Sequence, residues 1–363
     1  MNLRATPLVA TVLALVTIAL QLFGLGLAPG PTLPIYLVNA TGQIMCLALL
    51  ALAVDLMWGS AGILSLGHGL FFALGGYLCA MHLLRTAYAE TGVLPDFLQF
   101  MGQTAFPGWW APFDSSLFTM AAIIVAPTIV AGIFGYVSFR SRVNGVYLSI
   151  ITQALTYTAM LLMFRNNSGF GGNNGMTGFH SFAGLDIGKL PSAVLLASLS
   201  TGVLLVCFVS GRLLLATRYG RLLAAIRDDE PRLRFLGYES IWLKLSAWCL
   251  SAVVAAIAGA LYVPQVGIIN PSLLDPSLSL EIAVWVAVGG RSGLVGAILG
   301  AVLVNLLKFW LAGAAPAAWP FVLGGFVLVI ALYLPNGLLD ALNWKRARPS
   351  SALASIFSAE GRP

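Results

Sequence analysis

Runs of about 20 predominantly apolar residues recur along this chain, and no other feature of the sequence restricts its fold so strongly. An α-helix needs a run of this length to cross the hydrocarbon core of a bilayer. A tenth and shorter run, near 278–290, contains Glu281, which is typical of a broken or re-entrant helix. The eight or nine runs that meet the length requirement lie near 8–27, 35–57, 61–84, 116–138, 144–164, 191–215, 245–267, 293–313 and 320–341.

The composition supports a membrane protein. Of the 363 residues, 59% are hydrophobic and 9% are charged, whereas a soluble domain is about 25% charged. The first run, 8–27, is longer than the core of a signal peptide and no clear cleavage site follows it, so we expect a retained span. We predict an all-α, polytopic transmembrane helical bundle of about 10 spans, with eight or nine as alternatives, over residues 1–342, and a polar cytoplasmic tail at 343–363.

The basic residues predict the orientation of these spans. Lys and Arg are concentrated between Arg212 and Lys244, whereas the segment 86–115 has neither. The positive-inside rule therefore places the first segment in the cytoplasm and the second outside. With ten spans, both termini are cytoplasmic, and Arg165 and Lys189 are mild exceptions in an outer loop.

The sequence also argues against several functional classes. No basic stripe interleaved with aromatic residues indicates nucleic-acid binding, although the net charge is +6. The four cysteines lie in apolar runs without a CxxC pair, so no metal site is expected. P-loop, HExxH and GxSxG signatures are missing, so the chain is not expected to be an enzyme or to hydrolyse ATP by itself.

The segment 217–238 combines charge with signals for a short helix. Asp228 or Asp229 can cap a helix whose first turn contains Glu230, and Gly237 can end it. The prediction is an amphipathic helix of about two turns, an element that can press against a cytosolic partner. A solvated basic loop that only sets topology is the alternative. The amphipathic pattern places Leu233 and Leu236 together on the apolar side.

A glycine-rich segment, 59–77, contains a histidine between two glycines. Glycines let helices approach closely or let a helix break. His68 and Ser65 therefore either line a solute path or stabilise tight packing through hydrogen bonds.

Other polar groups also interrupt the apolar pattern. Asp55 lies near the predicted inner end of a span, where snorkelling or capping is expected, and Glu281 lies deeper. A charge within a span is costly, which points to function, and a structural ion pair is the alternative. The Gly- and Asn-rich outer loop 165–179 either lines an entrance or forms a tight turn.

Several short motifs, in this order, resemble the permeases of branched-chain amino-acid-type ABC importers over nearly the whole chain. They are Gly62-Ile-Leu-Ser-Leu-Gly-His-Gly69, Ala225-Ile-Arg-Asp-Asp-Glu230 with Leu236-Gly-Tyr238, Ala287-Val-Gly-Gly-Arg-Ser-Gly293 and Leu334-Pro-Asn-Gly-Leu338. Within that family the chain is most similar to the urea-type permease. The residues that carry this second resemblance are Asp96-Phe97, Phe100-Met101-Gly102, Trp109-Trp110, Gly169-Phe-Gly-Gly-Asn-Asn-Gly175 and Gly300-Ala-Val-Leu-Val-Asn-Leu-Leu-Lys308. Pro231, Ser292 and Gly178 depart from the family pattern.

The resemblance implies one half of a heterodimeric channel in the bacterial inner membrane that imports urea or a related small amide. It further implies a second homologous permease, two ATP-binding cassette subunits that bind ATP and Mg, and a periplasmic solute-binding protein, with no cofactor in this chain. A branched-chain amino-acid ABC permease is the first alternative, and an ion-coupled secondary carrier using Asp55 and Glu281 is the rival from another class.

The resemblance implies coupling roles for residues of the inside helix, and the polar groups within or beside the apolar runs are the candidates for the solute path. The residues expected to couple the chain to the ATPase are Arg227, Asp228, Asp229, Glu230, Arg232, Leu233 and Gly237. The candidates for the translocation path are Ser65, Gly67, His68, Gly69, Asn173, Asn174 and Glu281.

Overall fold

The computed structural model describes residues 5–24, 34–100, 102–143, 145–165, 169–182, 184–291, 293–333 and 337–338. The predicted tail, 343–363, lies outside this range. The helices are α1 (Ala5–Gly24), α2 (Ile35–Ala61), α3 (His68–Thr91), α4 (Asp96–Phe100), α5 (Ser116–Arg140), α6 (Val146–Met163), α7 (Leu190–Ala216), α8 (Arg218–Phe235), α9 (Ser240–Val266), α10 (Pro276–Gly289), α11 (Leu294–Ala314) and α12 (Trp319–Tyr333). The strands are β1 (Met176–Thr177), β2 (Ser181–Phe182), β3 (Leu185–Asp186) and β4 (Ile268–Ile269).

The predicted polytopic helical bundle is confirmed. Among the described residues, seven helices are long and apolar enough to cross a membrane, namely α2, α3, α5, α6, α7, α9 and α11. Helices α1, α10 and α12 occupy the three remaining predicted runs, and α10 is short, as its interrupted pattern predicted. One boundary was wrong, because the span predicted at 61–84 does not become helical until His68.

Helix α9 lies at the centre of the bundle and packs against α2, α3, α5, α7 and α8. Close approach to α3 depends on glycine. A Cβ added at Gly259 would lie 1.8 Å from the Phe72 carbonyl oxygen, and one at Gly75 would lie 2.0 Å from the Ala256 carbonyl oxygen. Because neither position has room for a methyl group, the sequence brings these two backbones into direct contact.

Backbone that is not α-helical interrupts the bundle between α2 and α3 and between α9 and α10. Helix α2 ends at Ala61, the following Gly62 has a left-handed φ of 72°, and the chain stays non-helical until α3 begins. Likewise, α9 ends just before Gly267 and α10 begins only at Pro276, where the Asp275 side chain accepts a hydrogen bond from the backbone N–H of Ser277 at 2.8 Å. Within a membrane such backbone must be satisfied by protein or water.

Side chains of α6 provide hydrogen-bond partners for backbone groups in the first interruption, between α2 and α3. The Ser149 hydroxyl donates to the Leu64 carbonyl at 2.7 Å, and the Leu66 N–H donates to Thr152 Oγ1 at 3.1 Å. A Cβ added at Gly69 would lie 3.4 Å from Ser279 Oγ. The beginning of α3 and the beginning of α10 therefore meet inside the bundle.

The opposite end of the bundle from α8 carries a small cap. Residues 108–114 form a 3₁₀ helix whose Trp110 is fully buried. Strand β1 pairs antiparallel with β4, with Met176 opposite Ile269. This pairing ties the Gly-rich loop to the segment that leads into α10.

Candidate functional site

Helix α8 bends at Asp229, where φ is −160° and ψ is 89°. The Asp229 side chain accepts a hydrogen bond from the Arg232 N–H at 3.1 Å, which caps the part of the helix that follows. Gly237, with a φ of 85°, follows the helix end. The predicted start and end of the short helix are therefore confirmed. The helical stretch from Arg218 to the bend was not predicted.

Glu230 faces the bundle rather than solvent. Its Oε1 accepts hydrogen bonds from Lys244 Nζ at 2.8 Å, Ser240 Oγ at 2.6 Å and Arg234 at 2.6 Å. Burial alone would raise the pKa of the Glu230 carboxyl, but these three donors lower its pKa below the usual value. Glu230 thus fastens α8 to the first turn of α9.

Arg227 forms a second attachment. Its guanidinium donates to the Gly59 carbonyl at 2.9 Å, and its Cγ would be 2.6 Å from a Cβ added at Gly62. The attachment therefore joins α8 to the end of α2 where the first interruption begins. Asp228 pairs with Arg227 at 3.3 Å but remains largely exposed.

Of the two leucines predicted to lie on the apolar side of the short helix, one departs from the prediction. Leu233 is buried, as predicted, but Leu236 is 71% exposed. Leu236 is the residue at which the chain leaves the helix, so its side chain no longer follows the helical face. Among the predicted coupling residues, Asp228 and Arg232 are left most accessible to a partner.

His68 is 1% exposed and lies between helices of this chain. Its Nε2 is 2.6 Å from Ser251 Oγ, and the Ser251 hydroxyl donates to the Ala53 carbonyl, so Nε2–H is the donor to Ser251. The imidazole also lies edge-on to Trp248, with ring centroids 5.4 Å apart. This geometry favours a role in joining α2, α3 and α9 over a role in lining a path.

The neighbours of His68 are similarly enclosed. Ser65 is 3% exposed and accepts a hydrogen bond from the Gly67 N–H at 3.0 Å. A Cβ added at Gly67 would be 3.0 Å from Thr152 Cβ, so glycine permits the contact with α6. Asp55, expected to snorkel or to cap a helix, is instead 2% exposed, and its Oδ1 has no hydrogen-bond partner among the described residues.

Glu281 and Lys308 form an ion pair between α10 and α11. Lys308 Nζ lies 2.7 Å from Glu281 Oε2 and 3.0 Å from Oε1. The Trp319 indole N–H donates to Glu281 Oε1 at 2.9 Å. The antiparallel contact of α10 with α11 positions the pair, because Gly300 lets its backbone approach the Trp285 carbonyl.

This ion pair faces a cavity of about 200 Å³. Lys308 was not predicted as a site residue. It could have been found from the sequence, because a lysine within an apolar run, after a glutamate within the preceding run, indicates an intramembrane ion pair. The helical rise of about 1.5 Å per residue places Lys308 about 21 Å above the start of α11, well within the thickness of a bilayer. The cavity is lined by Leu47, Phe72, Tyr262, Ser272, Leu273, Ser277, Leu278, Glu281, Trp285, Asn305 and Lys308.

Asn173 and Asn174 are exposed on the Gly-rich loop. The loop packs on β4 at Gly175, where φ is 71° and a Cβ would lie 2.5 Å from the Ile269 carbonyl oxygen. The tight-turn interpretation therefore describes the loop's conformation. Strand β4 continues into Ser272 and Leu273 of the cavity wall, so the loop adjoins the cavity indirectly.

The described residues contain no group of three or more His, Cys, Asp or Glu side chains that could hold a metal ion.

Comparison with known proteins gives a consistent result. The family model described as branched-chain amino acid transport system / permease component matches residues 36–332. The High-affinity branched-chain amino acid transport system permease protein LivM of Salmonella typhimurium is 26% identical over 325 residues, covering 83% of this chain and 69% of the relative. The protein of the same name from Escherichia coli is 26% identical over 318 residues, covering 81% of this chain and 68% of the relative. No solved structure matches the chain.

Proposed function

The chain belongs to the family of branched-chain amino acid transport system permease components, and from this premise we propose that it translocates a branched-chain amino acid or a closely related small zwitterion. The chain is thus an ABC-type permease, a transport subunit rather than an enzyme. The cavity that contains Glu281 and Lys308 is the observation that carries the choice of solute.

The chemistry of this cavity complements an aliphatic amino acid. A free amino acid carries an ammonium and a carboxylate, which can pair with Glu281 and Lys308, respectively. The side chains of Leu47, Phe72 and Leu278 offer apolar surface to the rest of the molecule. Charges and apolar walls thus match the two parts of the solute.

The ion pair also provides a physical reason for reversible binding. Without solute, Glu281 and Lys308 neutralise each other, so the cavity does not hold an isolated charge. A zwitterion that enters between them replaces one pair with two and leaves the net charge unchanged. Because the exchange conserves charge pairing, binding need not be tight, which suits a solute that must leave.

Urea, which the motifs around Trp109-Trp110 and Gly169–Gly175 suggested, is the second candidate. Urea is neutral and needs hydrogen-bond partners but no charged ones. Asn305 and Ser277 would serve it, whereas Glu281 and Lys308 would be superfluous. The two solutes therefore predict different effects of removing the charges.

We further propose that the working importer contains a second permease, two ATP-binding cassette subunits that bind ATP and Mg, and a periplasmic solute-binding protein. The family supports partners of this general kind. The exposed Asp228 and Arg232 of α8 are the residues offered to an ATPase. The concentration of basic residues around α8 supports a cytoplasmic position for this helix. We propose that the membrane is the bacterial inner membrane and that both termini lie on the cytoplasmic side.

Uptake measurements test the solute. Cells that lack other importers, and that express this chain with the products of its neighbouring genes, should accumulate radiolabelled leucine. A tenfold excess of isoleucine should abolish this uptake and a tenfold excess of urea should not. Accumulation of urea without accumulation of leucine would refute the proposal.

Matched variants test the cavity. Glu281→Gln and Lys308→Met should each reduce leucine uptake at least tenfold, while the chain still co-purifies with its partners. Asp114→Asn serves as the control, since it removes one charge from the ion pair with Arg85 in the cap, away from the cavity. Normal uptake by both cavity variants would show that the pair is only structural.

A further inference from the structure

A second cavity, of about 640 Å³, lies at the end of the bundle that carries α8. We call it the arginine cavity. It lies between the last turn of α5, the residues that follow it, the end of α8 and the first turn of α9. Its lining includes Tyr136, Arg140, Arg142, Arg234, Tyr238 and Trp242.

The charges of this cavity are unbalanced. Arg234 is paired with Glu230. Arg140 donates to the Tyr136 hydroxyl at 2.8 Å, and neither it nor Arg142 has a carboxylate partner among the described residues. Glu239 is the single acidic residue that lines the cavity among those described. Two guanidinium groups are therefore available to an anion.

Arg142 also has an unusual backbone. Its φ is 57°, and no other non-glycine residue in the described part of the chain has a positive φ. An arginine in the left-handed region is uncommon, and such strain persists where surrounding structure holds it. Here the left-handed residue and Arg140 line the same cavity.

The position of the cavity indicates where its anion comes from. Helix α5 is 25 residues long, so about 37 Å separate its ends. In a bilayer with a hydrocarbon core of about 30 Å, Arg140 at the end of this helix would lie at the level of the lipid headgroups. Trp242 is 58% exposed and its ring lies 6.0 Å from that of Tyr136. Exposed Trp and Tyr side chains at helix ends are typical of the membrane interface.

We propose that the arginine cavity binds the headgroup phosphate of an anionic phospholipid. Arg140 and Arg142 pair with phosphate oxygens, for which the planar guanidinium is well suited. Tyr238 and Trp242 flank the glycerol region, and the acyl chains follow the exposed apolar face of α5, which includes Ile129 and Ile133. Arg234 lies in α8, and Tyr238 follows that helix. A lipid in the cavity would therefore contact the helix that we propose is offered to the ATPase.

The test measures lipid binding by the purified full-length chain in neutral detergent, followed by tryptophan fluorescence. Short-chain phosphatidylglycerol, short-chain phosphatidylcholine and soluble glycerol 1-phosphate are titrated separately. The variant Arg140→Gln with Arg142→Gln is compared with Arg218→Gln with Arg221→Gln. The second pair removes the same charge from exposed positions on α8 that do not line the cavity.

Phosphatidylglycerol should bind the unaltered chain, with about fivefold weaker binding for each cavity arginine removed and about 30-fold for both. The control pair should change binding less than threefold. Equal losses in the two double variants would reduce the effect to general surface charge and overturn the proposal. Equal binding of phosphatidylcholine, or binding of glycerol 1-phosphate as tight as that of the lipid, would also overturn it.

Two further readouts keep the result interpretable. The Arg142 guanidinium forms no hydrogen bond or ion pair with the described residues, so the single variant Arg142→Gln tests the proposal if the double variant does not fold. Co-purification with the ATPase tests the other occupant. Loss of co-purification in the cavity variant, without any phosphatidylglycerol binding by the unaltered chain, would assign the arginines to an acidic surface of the ATPase and overturn the lipid site.

Discussion

Replacing Glu230 with glutamine should loosen α8 from the bundle. Glu230 is the acceptor for Lys244, Ser240 and Arg234, and the Lys244 side chain is 1% exposed. Glutamine keeps the size and an acceptor oxygen but removes the negative charge. The variant therefore leaves the Lys244 ammonium buried without its carboxylate.

The size of this effect follows from burial. Removing one partner of a buried ion pair costs about 3–5 kcal/mol. Glu230 is 16% exposed, and the ring of Phe139 lies 5.3 Å from Lys244 Nζ and remains as a favourable neighbour. Both features reduce the cost, so we expect a loss of about 2–3 kcal/mol in the free energy of unfolding.

Unfolding of the purified chain in SDS, followed by tryptophan fluorescence, measures this loss. Asp228→Asn is the matched control, because Asp228 is 71% exposed and its ion pair should contribute less than about 1 kcal/mol. Adding Lys244→Met to the Glu230 variant should restore most of the stability, since the buried ammonium is then absent and the other cation that lost its partner, Arg234, is 37% exposed. A Glu230→Gln variant no less stable than the Asp228→Asn control would refute the reasoning.

Three other variants or conditions give separate tests. Because the pKa of Glu230 is depressed, its contribution to the free energy of unfolding is present above the ordinary glutamate pKa of 4.5 and is lost as the pH falls through the lower pKa of the folded chain. The difference in stability between the chain and its Glu230→Gln variant should therefore hold from pH 7 to about pH 5 and then close. His68→Trp should prevent monodisperse elution, whereas His68→Ser should elute normally, because the enclosed imidazole has no room for an indole; normal elution of the Trp variant would contradict the joining role. Gly259→Ala should lower the free energy of unfolding in SDS by about 1–3 kcal/mol, because the new Cβ meets the Phe72 carbonyl oxygen. Gly202→Ala, with open space around it, should raise the free energy of unfolding by up to about 1 kcal/mol, and equal effects of the two variants would argue against tight contact between α3 and α9.

The helices were predictable because each apolar run carries its own signal. The length of the apolar runs predicted the spans, and Glu281 indicated the short α10. Asp229 and Gly237 indicated the beginning and the end of the terminal part of α8. These features depend on neighbouring residues in the chain. A single sequence contains that information directly.

The environment of the polar residues was less predictable. Which face of α3 His68 occupies depends on Ser251, 183 residues away, and Glu281 finds its partner 27 residues later in Lys308. Neither pairing follows from helical period, because any polar residue in the bundle is a possible partner. Leu236 is a local example of the same difficulty. The helical periodicity predicts that its side chain is buried, but the helix has ended when the chain reaches this residue.

The contacts of α8 restrict how a movement outside the membrane can reach the cavity. Arg227 holds Gly59, at the end of α2, and packs on Gly62, where the first interruption begins. That interruption is fixed to α6 at Leu66, and α3 then meets α10 where Gly69 faces Ser279, two residues before Glu281. Because the interrupted backbone is held at both ends, a displacement of α8 must either break the Arg227 hydrogen bond or shift the junction of α3 and α10. A shift of that junction alters the wall that carries Glu281, so a displacement of α8 would reach the charged cavity through these contacts.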